Sequence, residues 1–439
     1  MSRPKLWEVH RELSQTYGDL VHLKVLGMRM VVLNSPRAIF GMLEKRSAIT
    51  SDRQQFHVTP LTGQDFNFSL FPYGNAWRVH RRAFWQGFYP KAIGRYLPIQ
   101  RDVARQFLRM LLDDPQQYRE HIRYTFSATV FKVLYGITVT ESEDKRIVLF
   151  RTVLESFDAF TPGRFAVSFF PILKHLPEWV PGAGFQKILA HYRSAAHRAK
   201  DEYFAEAKEI MKQGNTPVCV VSDLIERSTE DGSALSSEDE DTIKNVALTA
   251  FEGGSDTTFS TLQSFFLAMS LYPDVQKRAQ EELDAVVGPN RLPDHGDRDA
   301  LPYVNALIKE SLRWMNVLPL SLPHVTTEDQ EFDGYFIPSG TIVVANTWAC
   351  LHDPEVYPEP ERFNPDRFLR AGKLAQDVPD PEAFAFGYGR RICPGRHFAE
   401  GSLFINIAMV LHVFNIEPPL DHDGRPIVVE PRMCDGLMS

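Results

Sequence analysis

The chain has 439 residues, of which 44% are hydrophobic and 24% charged, and its formal net charge is −8. This balance is that of an ordinary globular protein and excludes disordered and fibrous classes. The acidic balance argues against nucleic-acid binding, because affinity for a phosphate backbone depends on clustered cations. No run approaches the ~18 consecutive apolar residues that a membrane-spanning helix needs, so we expect the chain as given to be soluble.

The first half of the chain predicts a strand pair and then long helices. Residues 18–36 are rich in β-branched residues and predict two strands around the turn Leu26-Gly27-Met28. Ser237 and Glu240 predict a capping box at the start of a long central helix. Helical patterns predict helices at residues 75–87, 99–112, 115–134, 143–157, 185–212, 237–271, 273–287 and 303–315.

The C-terminal part mixes strands with one apolar helix. Residues 332–346 predict a strand, a turn at Pro338-Ser339-Gly340 and a second strand, and residues 427–429 predict another strand. The last helix is predicted at residues 394–414. Long helices in the middle and small strand pairs at both ends predict a mainly helical α+β fold. No linker or internal repeat interrupts the chain, so we expect residues 1–439 to form a single domain.

The four cysteines are widely separated, and no two form a CxxC pair. A structural zinc site needs closely spaced ligand pairs, and a disulfide framework is not expected in a chain of this length. Cys219, Cys350 and Cys434 are therefore interpreted as thiols without a special role. Cys393 differs, because it lies in the glycine-rich stretch FGYGRRICPG at residues 386–395.

A thiolate that binds iron needs screening from water, backbone N–H groups near the sulfur and a cation that balances the porphyrin carboxylates. In this stretch Phe386 can cover the loop, and Arg391 can meet a carboxylate. Pro394 is predicted in the first turn of the following helix, whose N-terminus favours an anionic sulfur. The alternative is an ordinary buried cysteine beside a glycine-rich loop.

The pattern F-x-x-G-x-R-x-C-x-G resembles the haem-ligand signature of the cytochromes P450, and every fixed position of it is present. The resemblance implies that Cys393 is the metal ligand, to the iron of haem b. It also implies that Phe386 and Arg391 contact this cofactor. The same family has a W-x-x-x-R motif, which Trp77 and Arg81 resemble; at i, i+4 they share a helix face suited to a propionate. The alternative for that helix is a basic amphipathic surface.

Gly253-Gly254 precede Asp256-Thr257 inside the predicted central helix. Each glycine costs about 1 kcal/mol in a helix relative to alanine, so the pair needs a structural reason. The resemblance implies a local widening of the helix above the iron, with Asp256 and Thr257 as the catalytic pair that supplies and relays protons. The alternative is a notch where another helix crosses closely.

Glu310 and Arg313 resemble the E-x-x-R motif of the family, and at i, i+3 they share one helix face. A downstream P-E-R-F element implies that Arg362 joins the pair in a buried, structural cluster.

One departure from the family pattern is His324, which stands where many members have an arginine that pairs with a propionate. Histidine can donate to a carboxylate but is not a permanent cation. This feature and residues 333–338 resemble fungal members of secondary metabolism.

The resemblance extends over residues 18–438. It implies a missing N-terminal membrane anchor and a missing final strand, and a full-length form anchored at the cytosolic face of the endoplasmic reticulum membrane. We expect a monomer. Residues 160–185 are rich in Phe, Ile, Leu and Trp and predict either a lip that dips into the bilayer or a cap on the core.

The predicted function is that of a monooxygenase, which inserts one oxygen atom into a lipophilic small molecule. Electrons would come from an NADPH–cytochrome P450 reductase that docks on a basic face with Arg78, Arg82, Arg390 and Arg396. The alternatives are an isomerase, dehydratase or peroxygenase without a redox partner, and a haem carrier. Asp256-Thr257 argues against the first group, whose members tend to lack this pair. The substrate pocket is predicted to be lined by residues 66–71, 318–322, Ala250, Phe251, Leu437 and Met438.

Overall fold

The structure is a computed structural model that describes residues 5–161, 163–177, 179–214, 218–427 and 429–434. Its α-helices, in chain order, are α1 Leu6–Tyr17, α2 Pro36–Ile39, α3 Thr59–Thr62, α4 Asn75–Phe88, α5 Pro90–Ile93, α6 Leu97–Asp113, α7 Tyr118–Tyr135, α8 Lys145–Glu155, α9 Phe185–Lys212, α10 Val220–Ser228, α11 Ser237–Leu271, α12 Pro273–Val286, α13 Pro302–Trp314, α14 Thr347–Leu351, α15 Glu382–Ala385 and α16 Arg396–Val413. The mainly helical α+β fold is thereby confirmed. No helix among the described residues is long and apolar enough to cross a membrane.

Sequence periodicity locates the long helices well. The predicted bounds of α9 and α11 agree with the structure at both ends, and the other long helices differ by a few residues. The predicted cap of α11 is one residue off. Its N-cap is Ser236, whose hydroxyl accepts a hydrogen bond from the Asp239 amide, because the helix already has regular geometry at Ser237.

The strands form one larger sheet and two small ribbons. They are β1 Leu20–Val25, β2 Met28–Leu33, β3 Asp52–Arg53, β4 His324–Val325, β5 Gln330–Phe332, β6 Tyr335–Ile337, β7 Ile342–Ala345, β8 Leu369–Arg370 and β9 Lys373–Leu374. The larger sheet has the order β1-β2-β7-β4-β3. The predicted β1–β2 turn is confirmed, with Leu26 and Gly27 both at positive φ, as a tight hairpin requires.

The strand, turn and second strand predicted over residues 332–346 are present as β6 and β7, but these two strands do not pair with each other. β6 pairs with β5, while β7 runs parallel to β2 in the larger sheet. Burial explains the separation. All four residues of β7 are buried, whereas Tyr335 and Phe336 in β6 are exposed. At the C-terminus, Val428, Leu437 and Met438 lie outside the described residues, and Leu420 and Pro426 form an isolated bridge.

The central helix α11 runs through the core. Its 35 residues span about 50 Å at ~1.5 Å per residue. It packs against α4, α7, α13 and α16. Helix α16 is buried over almost its whole length, and it follows directly on the loop that carries Cys393. The fold therefore brings the cysteine loop and the middle of α11 to the same core.

Candidate active site

Cys393 closes a tight loop between α15 and α16. Its amide donates a hydrogen bond of 2.7 Å to the carbonyl oxygen of Phe386, whose half-buried ring packs against the main core cluster. Gly389 has φ 55°, and a Cβ there would overlap the carbonyl oxygen of Leu43. Only glycine fits this position, so the path of the loop is fixed against the preceding part of the fold.

Two opposing influences act on the pKa of the Cys393 thiol. Burial raises the pKa of the thiol, whereas the Gly395 amide and the positive charges of Arg81 and Arg396 lower it. Helix α16 begins at Arg396 rather than at Pro394, with Gly395 as its N-cap. A Cβ on Gly395 would lie 4.0 Å from the sulfur, so the helix N-terminus remains beside it. This is a poorly hydrated sulfur with dipoles that favour the anion, which suits a soft metal ligand.

A buried basic cluster lies beside this loop, made by Arg53, His324 and Arg391. Arg53 in β3 is paired with His324 in β4, and both are buried. Arg53 donates to the carbonyl oxygens of Leu322 and Pro323 at 2.8 and 2.9 Å. Burial, together with the charge of Arg391 and against the opposing charge of Asp52, lowers the pKa of Arg53 to about 9. At neutral pH the guanidinium still carries its charge.

Arg391 is the member of the cluster with an unused donor. Its Nε donates to the Ser51 carbonyl oxygen at 2.8 Å and its Nη2 to that of Phe71 at 2.7 Å. Its Nη1 is buried and has no partner among the described residues. Burial lowers the pKa of Arg391 to about 10, with Asp52 opposing and Arg81 adding to the effect. A buried cationic donor without an acceptor is costly, so the site fits a group that carries a carboxylate.

His324 can reach such a carboxylate only in one protonation state. Its Nδ1 lies 2.7 Å from the carbonyl oxygen of Thr50, which can only accept, so Nδ1 carries the hydrogen. The remaining Nε2 donates only when the ring is doubly protonated. Burial, with the charges of Arg53 and Arg391, holds the pKa of His324 well below its usual range. The two arginines, rather than the histidine, therefore supply the permanent positive charge.

Trp77 and Arg81 lie on α4 beside the cluster, as predicted. Trp77 is buried, and the Arg391 guanidinium lies 4.5 Å from the centre of a Trp77 ring. Arg81 donates from Nη2 to the Ile392 carbonyl oxygen at 2.6 Å, next to the cysteine. Burial lowers its pKa to about 10, and the charge of Cys393 opposes this. The structure therefore brings Trp77, Arg81, Arg391 and Cys393 together, and their residue types fit a haem with its propionates.

On α11, Asp256 and Thr257 are adjacent and both partly exposed. Burial raises the pKa of the Asp256 carboxyl group, and the charge of Arg123 opposes this. The Thr257 hydroxyl donates to the Gly253 carbonyl oxygen at 2.7 Å. Each group can carry a proton, but neighbouring side chains of a helix do not face each other, and among the described residues no hydrogen bond joins these two.

The predicted widening of α11 is not observed, since the helix is continuous from Ser237 to Leu271. Instead the hydroxyls of Thr257, Thr258 and Thr261 each bond the carbonyl four residues back, an arrangement that bends helices rather than opening them. The two glycines differ. A Cβ on Gly254 would lie 3.4 Å from Val130, whereas one on Gly253 would meet open space. Gly254 therefore provides the close packing, and Gly253 faces a space.

Phe251 and Ala250 on α11 are both predicted from sequence to line the substrate pocket. Phe251 is fully buried, with ring centroids 3.7 Å from Phe150 and 4.4 Å from Phe131, so it belongs to the aromatic core rather than to a pocket wall. The reason is its position on the side of α11 that packs against α7 and α8. Ala250 is also buried but retains slight exposure.

The Glu310–Arg313 pair is buried, with both side chains fully inaccessible. Arg313 donates from Nε to Glu310 at 2.7 Å and from Nη2 at 2.9 Å. The prediction that Arg362 joins them is wrong. Arg362 is 62% exposed and lies near Glu359, while Arg367 donates to Glu310 at 3.2 Å. The chain changes direction after Phe363. As a result, the side chain of Arg367 points toward Glu310, and that of the motif residue Arg362 points to the surface.

The residues Arg78, Arg82, Arg390 and Arg396 form a basic surface around the loop. The first three are exposed and Arg396 is half-buried. Arg390 donates to the Tyr73 hydroxyl at 2.7 Å, and the Arg78 guanidinium lies 5.8 Å from the same ring. None of the four is in an ion pair with a described carboxylate. A shallow groove beside them is lined by Trp77, Arg78, Arg81, Arg82 and Trp85.

The apolar segment at residues 160–185 divides into two parts. Phe165 and Val167 are buried in a small cluster with Phe160 and Leu189, as expected for a cap on the core. Phe170, Ile172 and Trp179 are instead 54%, 74% and 82% exposed. The buried residues agree with a cap on the core, and the exposed residues are compatible with a lip that contacts a bilayer. Pro162 lies outside the described residues.

Sequence reasoning missed Arg53 and the polar network around Glu252. Arg53 lies in a two-residue strand, which has no periodicity to detect, and only the pairing with β4 places it beside His324. Glu252 directly precedes the two glycines, and a carboxylate that ends the mostly apolar run of residues 246–251 was the signal that could have singled it out.

Comparisons with known proteins agree with this geometry. The profile of the family described as "Cytochrome P450" matches residues 1–434. The chain is 44% identical over 421 residues to the cytochrome P450 monooxygenase COX2 of Coprinopsis cinerea, covering 95% of this chain and 80% of that protein. It is 37% identical over 431 residues to cytochrome P450 monooxygenase 98 of Postia placenta, covering 97% and 82%. It is also 37% identical over 425 residues to the tryptamine 4-monooxygenase of Psilocybe cyanescens, covering 96% and 83%.

Proposed function

The chain belongs to the cytochrome P450 family, and from that premise we propose that it inserts one atom of dioxygen into a lipophilic small molecule, with electrons from an NADPH-dependent reductase. Its relatives are named monooxygenases, and it is an oxygen-incorporating oxidoreductase of this type with a haem-thiolate cofactor. The observation that supports haem-thiolate oxygen chemistry is the sulfur of Cys393 beside a helix N-terminus and a basic cluster with an unused donor.

The proposed cofactor is haem b with Cys393 as the iron ligand. Its propionates would accept hydrogen bonds from Arg391 Nη1 and from the neighbouring Trp77, Arg81 and Arg53. His324 would not donate to them at neutral pH, because its one ring hydrogen is bonded to the Thr50 carbonyl oxygen and its pKa is held well below its usual range. Phe386 would screen the sulfur from water. When bound, the haem iron with its thiolate supplies the reductive cleavage of dioxygen, while the protein orients the substrate and controls protons.

Proton delivery is the task proposed for Asp256 and Thr257. Because burial raises the pKa of Asp256, its carboxyl group takes up a proton from the surroundings more readily than an exposed aspartate does. The adjacent Thr257 hydroxyl already donates to the Gly253 carbonyl oxygen. To relay a proton, the hydroxyl would release this bond, accept at its oxygen a proton that Asp256 has taken up, and donate its own hydrogen into the space that Gly253 faces.

We expect Thr257→Ala to retain cofactor and substrate but to divert electrons to hydrogen peroxide, because protons then arrive from disordered water. Asp256→Asn should slow turnover and change the solvent isotope effect. The matched control is Thr258→Ala, which removes an equivalent hydroxyl-to-carbonyl bond at a buried position. The measurement is hydrogen peroxide formed per NADPH consumed, with holoenzyme and a reductase. Equal peroxide yields from Thr257→Ala and Thr258→Ala would contradict the proton role of Thr257.

We place reductase docking on the basic surface formed by Arg78, Arg82, Arg390 and Arg396. This surface surrounds the loop of the proposed iron ligand, so electrons would have a short path. The protein as a whole is acidic, so this basic surface would guide an acidic partner to the correct face. We expect it to raise the association rate more than the affinity.

Reversal of Arg78 and Arg82 to Glu should slow electron transfer most at low salt, because the steering field is screened as ionic strength rises. Carbon monoxide binding to the reduced protein should not change. The control reverses two exposed cations on α9, Lys187 and Arg198, to Glu. First-electron transfer rates across a salt series provide the measurement. Rates that respond equally to both double reversals would locate the docking face elsewhere.

Membrane association is proposed for the exposed residues Phe170, Ile172 and Trp179. Apolar side chains with a tryptophan are suited to the interface of a bilayer, where a lipophilic substrate is concentrated. We place this contact at the cytosolic face of the endoplasmic reticulum, with the enzyme acting as a monomer. The buried Phe165 and Val167 would hold the segment to the core.

A further inference from the structure

Glu252 is a carboxylate in the core, on the central helix directly before Gly253. Its side chain is 3% exposed. Its Oε1 accepts a hydrogen bond of 2.6 Å from Gln64, and its Oε2 accepts one of 2.8 Å from Asn67. Gln64 also donates to the Ser156 hydroxyl at 3.0 Å, just after the end of α8. One carboxylate thereby joins three segments that are distant in sequence.

The direction of every hydrogen bond in this network is fixed. The Ser69 amide can only donate, and it donates to Asn67 Oδ1 at 3.0 Å. The Nδ2 of Asn67 must therefore be its donor, and it bonds both Gln64 Oε1 and Glu252. The Nε2 of Gln64 must then donate to Ser156 and Glu252. Two donors converge on Glu252, so position 252 has to supply two acceptors.

The same loop is anchored at its other end to the basic cluster. The carbonyl oxygen of Ser69 accepts from Arg53 Nε at 3.1 Å, and that of Phe71 accepts from Arg391 Nη2 at 2.7 Å. Residues 64–71 therefore stretch from the central helix, next to Gly253, to the arginines proposed to hold the propionates. With a haem bound beside Cys393, they would form a side wall of its pocket, and Glu252 would anchor the helix end of this wall.

Glu252 is poorly suited to bind a cationic substrate directly, since both of its oxygens are already bonded to amides. Burial raises its pKa to about 8, although the two amide donors favour the deprotonated form, in which both oxygens accept. The carboxylate is therefore the main form above that pH, at which the binding measurements are made. These features instead suit a group that holds neighbouring parts of the fold in place.

We propose that Glu252 is a positioning residue for substrate, which sets the shape of the pocket wall at residues 64–71 through Gln64 and Asn67. This inference rests on the proposed function only in taking the space between α11 and the basic cluster as the haem pocket. Glu252 would thus influence which substrate shapes the pocket accepts, by acting through the loop and not by contact with the reacting atoms.

The fixed bond directions permit a rescue experiment. Glu252→Gln places an N–H opposite an existing donor, either Gln64 or Asn67, and loosens the wall. Gln64→Glu places two carboxylates side by side and does the same. The double variant Glu252→Gln/Gln64→Glu restores complementarity, because the amide at position 252 can donate to the carboxylate at position 64. That carboxylate can also accept from Asn67 and Ser156, and the carbonyl at position 252 accepts from Asn67.

The probes are imidazole and 1-phenylimidazole, both of which bind haem iron through nitrogen and are titrated on ferric holoenzyme by difference spectroscopy. The two differ by the phenyl ring, which is the part expected to be sensitive to the shape of the wall. We expect each single variant to weaken 1-phenylimidazole about tenfold relative to imidazole, the effect of one unsatisfied buried polar contact, and the double variant to recover most of that loss.

A purely structural role would lower haem content and thermal stability but leave the ratio of the two dissociation constants at its wild-type value. An unchanged ratio in both single variants, or no recovery in the double variant, would overturn the proposal. The proposed function is tested separately. Wild-type holoenzyme that shows the expected ratios but transfers no electrons from a reductase would remove the proposed monooxygenase role and retain the positioning role.

Discussion

Glu310→Ala should give protein that folds poorly and fails to hold its cofactor. Arg313 is fully buried, and Glu310 supplies two of its hydrogen bonds, with the remaining ones going to the carbonyl oxygens of Leu351, Pro360 and Arg362. Removal of the carboxylate leaves a buried guanidinium without its counter-charge, which costs about 3–5 kcal/mol. That loss is comparable to a large share of the ~5–15 kcal/mol by which domains are stable. Thermal unfolding and haem content of the purified variants are the measurements.

The third member of the cluster provides a matched comparison between two arginines five positions apart. Arg367 is 6% exposed and bonds Glu310, so Arg367→Ala should be clearly destabilising. Arg362 is 62% exposed, and its ion pair with Glu359 is long at 3.6 Å, so Arg362→Ala should change the unfolding free energy by less than about 0.5 kcal/mol. Similar losses in the two variants would show that the cluster is assigned incorrectly.

The helices of this protein are largely predictable from sequence because their signal is local. The apolar periodicity of α9 repeats over many turns, whereas α11 is recognised by its N-terminal cap and its long apolar middle; both sets of predicted bounds agree with the structure. Strand pairing is different, since it depends on residues far apart in the chain. Nothing local to residues 332–346 indicates that β7 joins β2 while β6 turns back on β5.

The candidate site shows the same division. Cys393, Arg391 and Phe386 lie within one short motif, and the structure keeps them together. Arg53 could not be found in this way, because it reaches the site through a two-residue strand whose partner is His324. The choice between Arg362 and Arg367 likewise depends on how the chain turns after Phe363, and a motif match carries no information about that turn.

The identity of the iron ligand is the central claim, and Cys393→Ala and Cys393→His should have the largest effect on function. No other cysteine can replace this sulfur. Cys219 and Cys350 are buried within the core, and Cys434 is exposed. Cys219 is the N-cap of α10, but burial raises its pKa, and the main opposing influences are hydrogen bonds and not positive charges. Cys393 also lies at a helix N-terminus, and Arg81 and Arg396 are close enough to favour its thiolate. Loss of the sulfur should therefore abolish electron-dependent turnover, and Cys434→Ser serves as the control.

The most direct measurement is the absorption spectrum of the reduced protein under carbon monoxide. The wild type and Cys434→Ser should show the red-shifted Soret band that is diagnostic of thiolate ligation. Cys393→His should bind haem but show the band at the shorter wavelength of a nitrogen ligand, and Cys393→Ala should lack the red-shifted band. A red-shifted band in either Cys393 variant, or its absence from haem-loaded wild-type protein, would contradict the assignment.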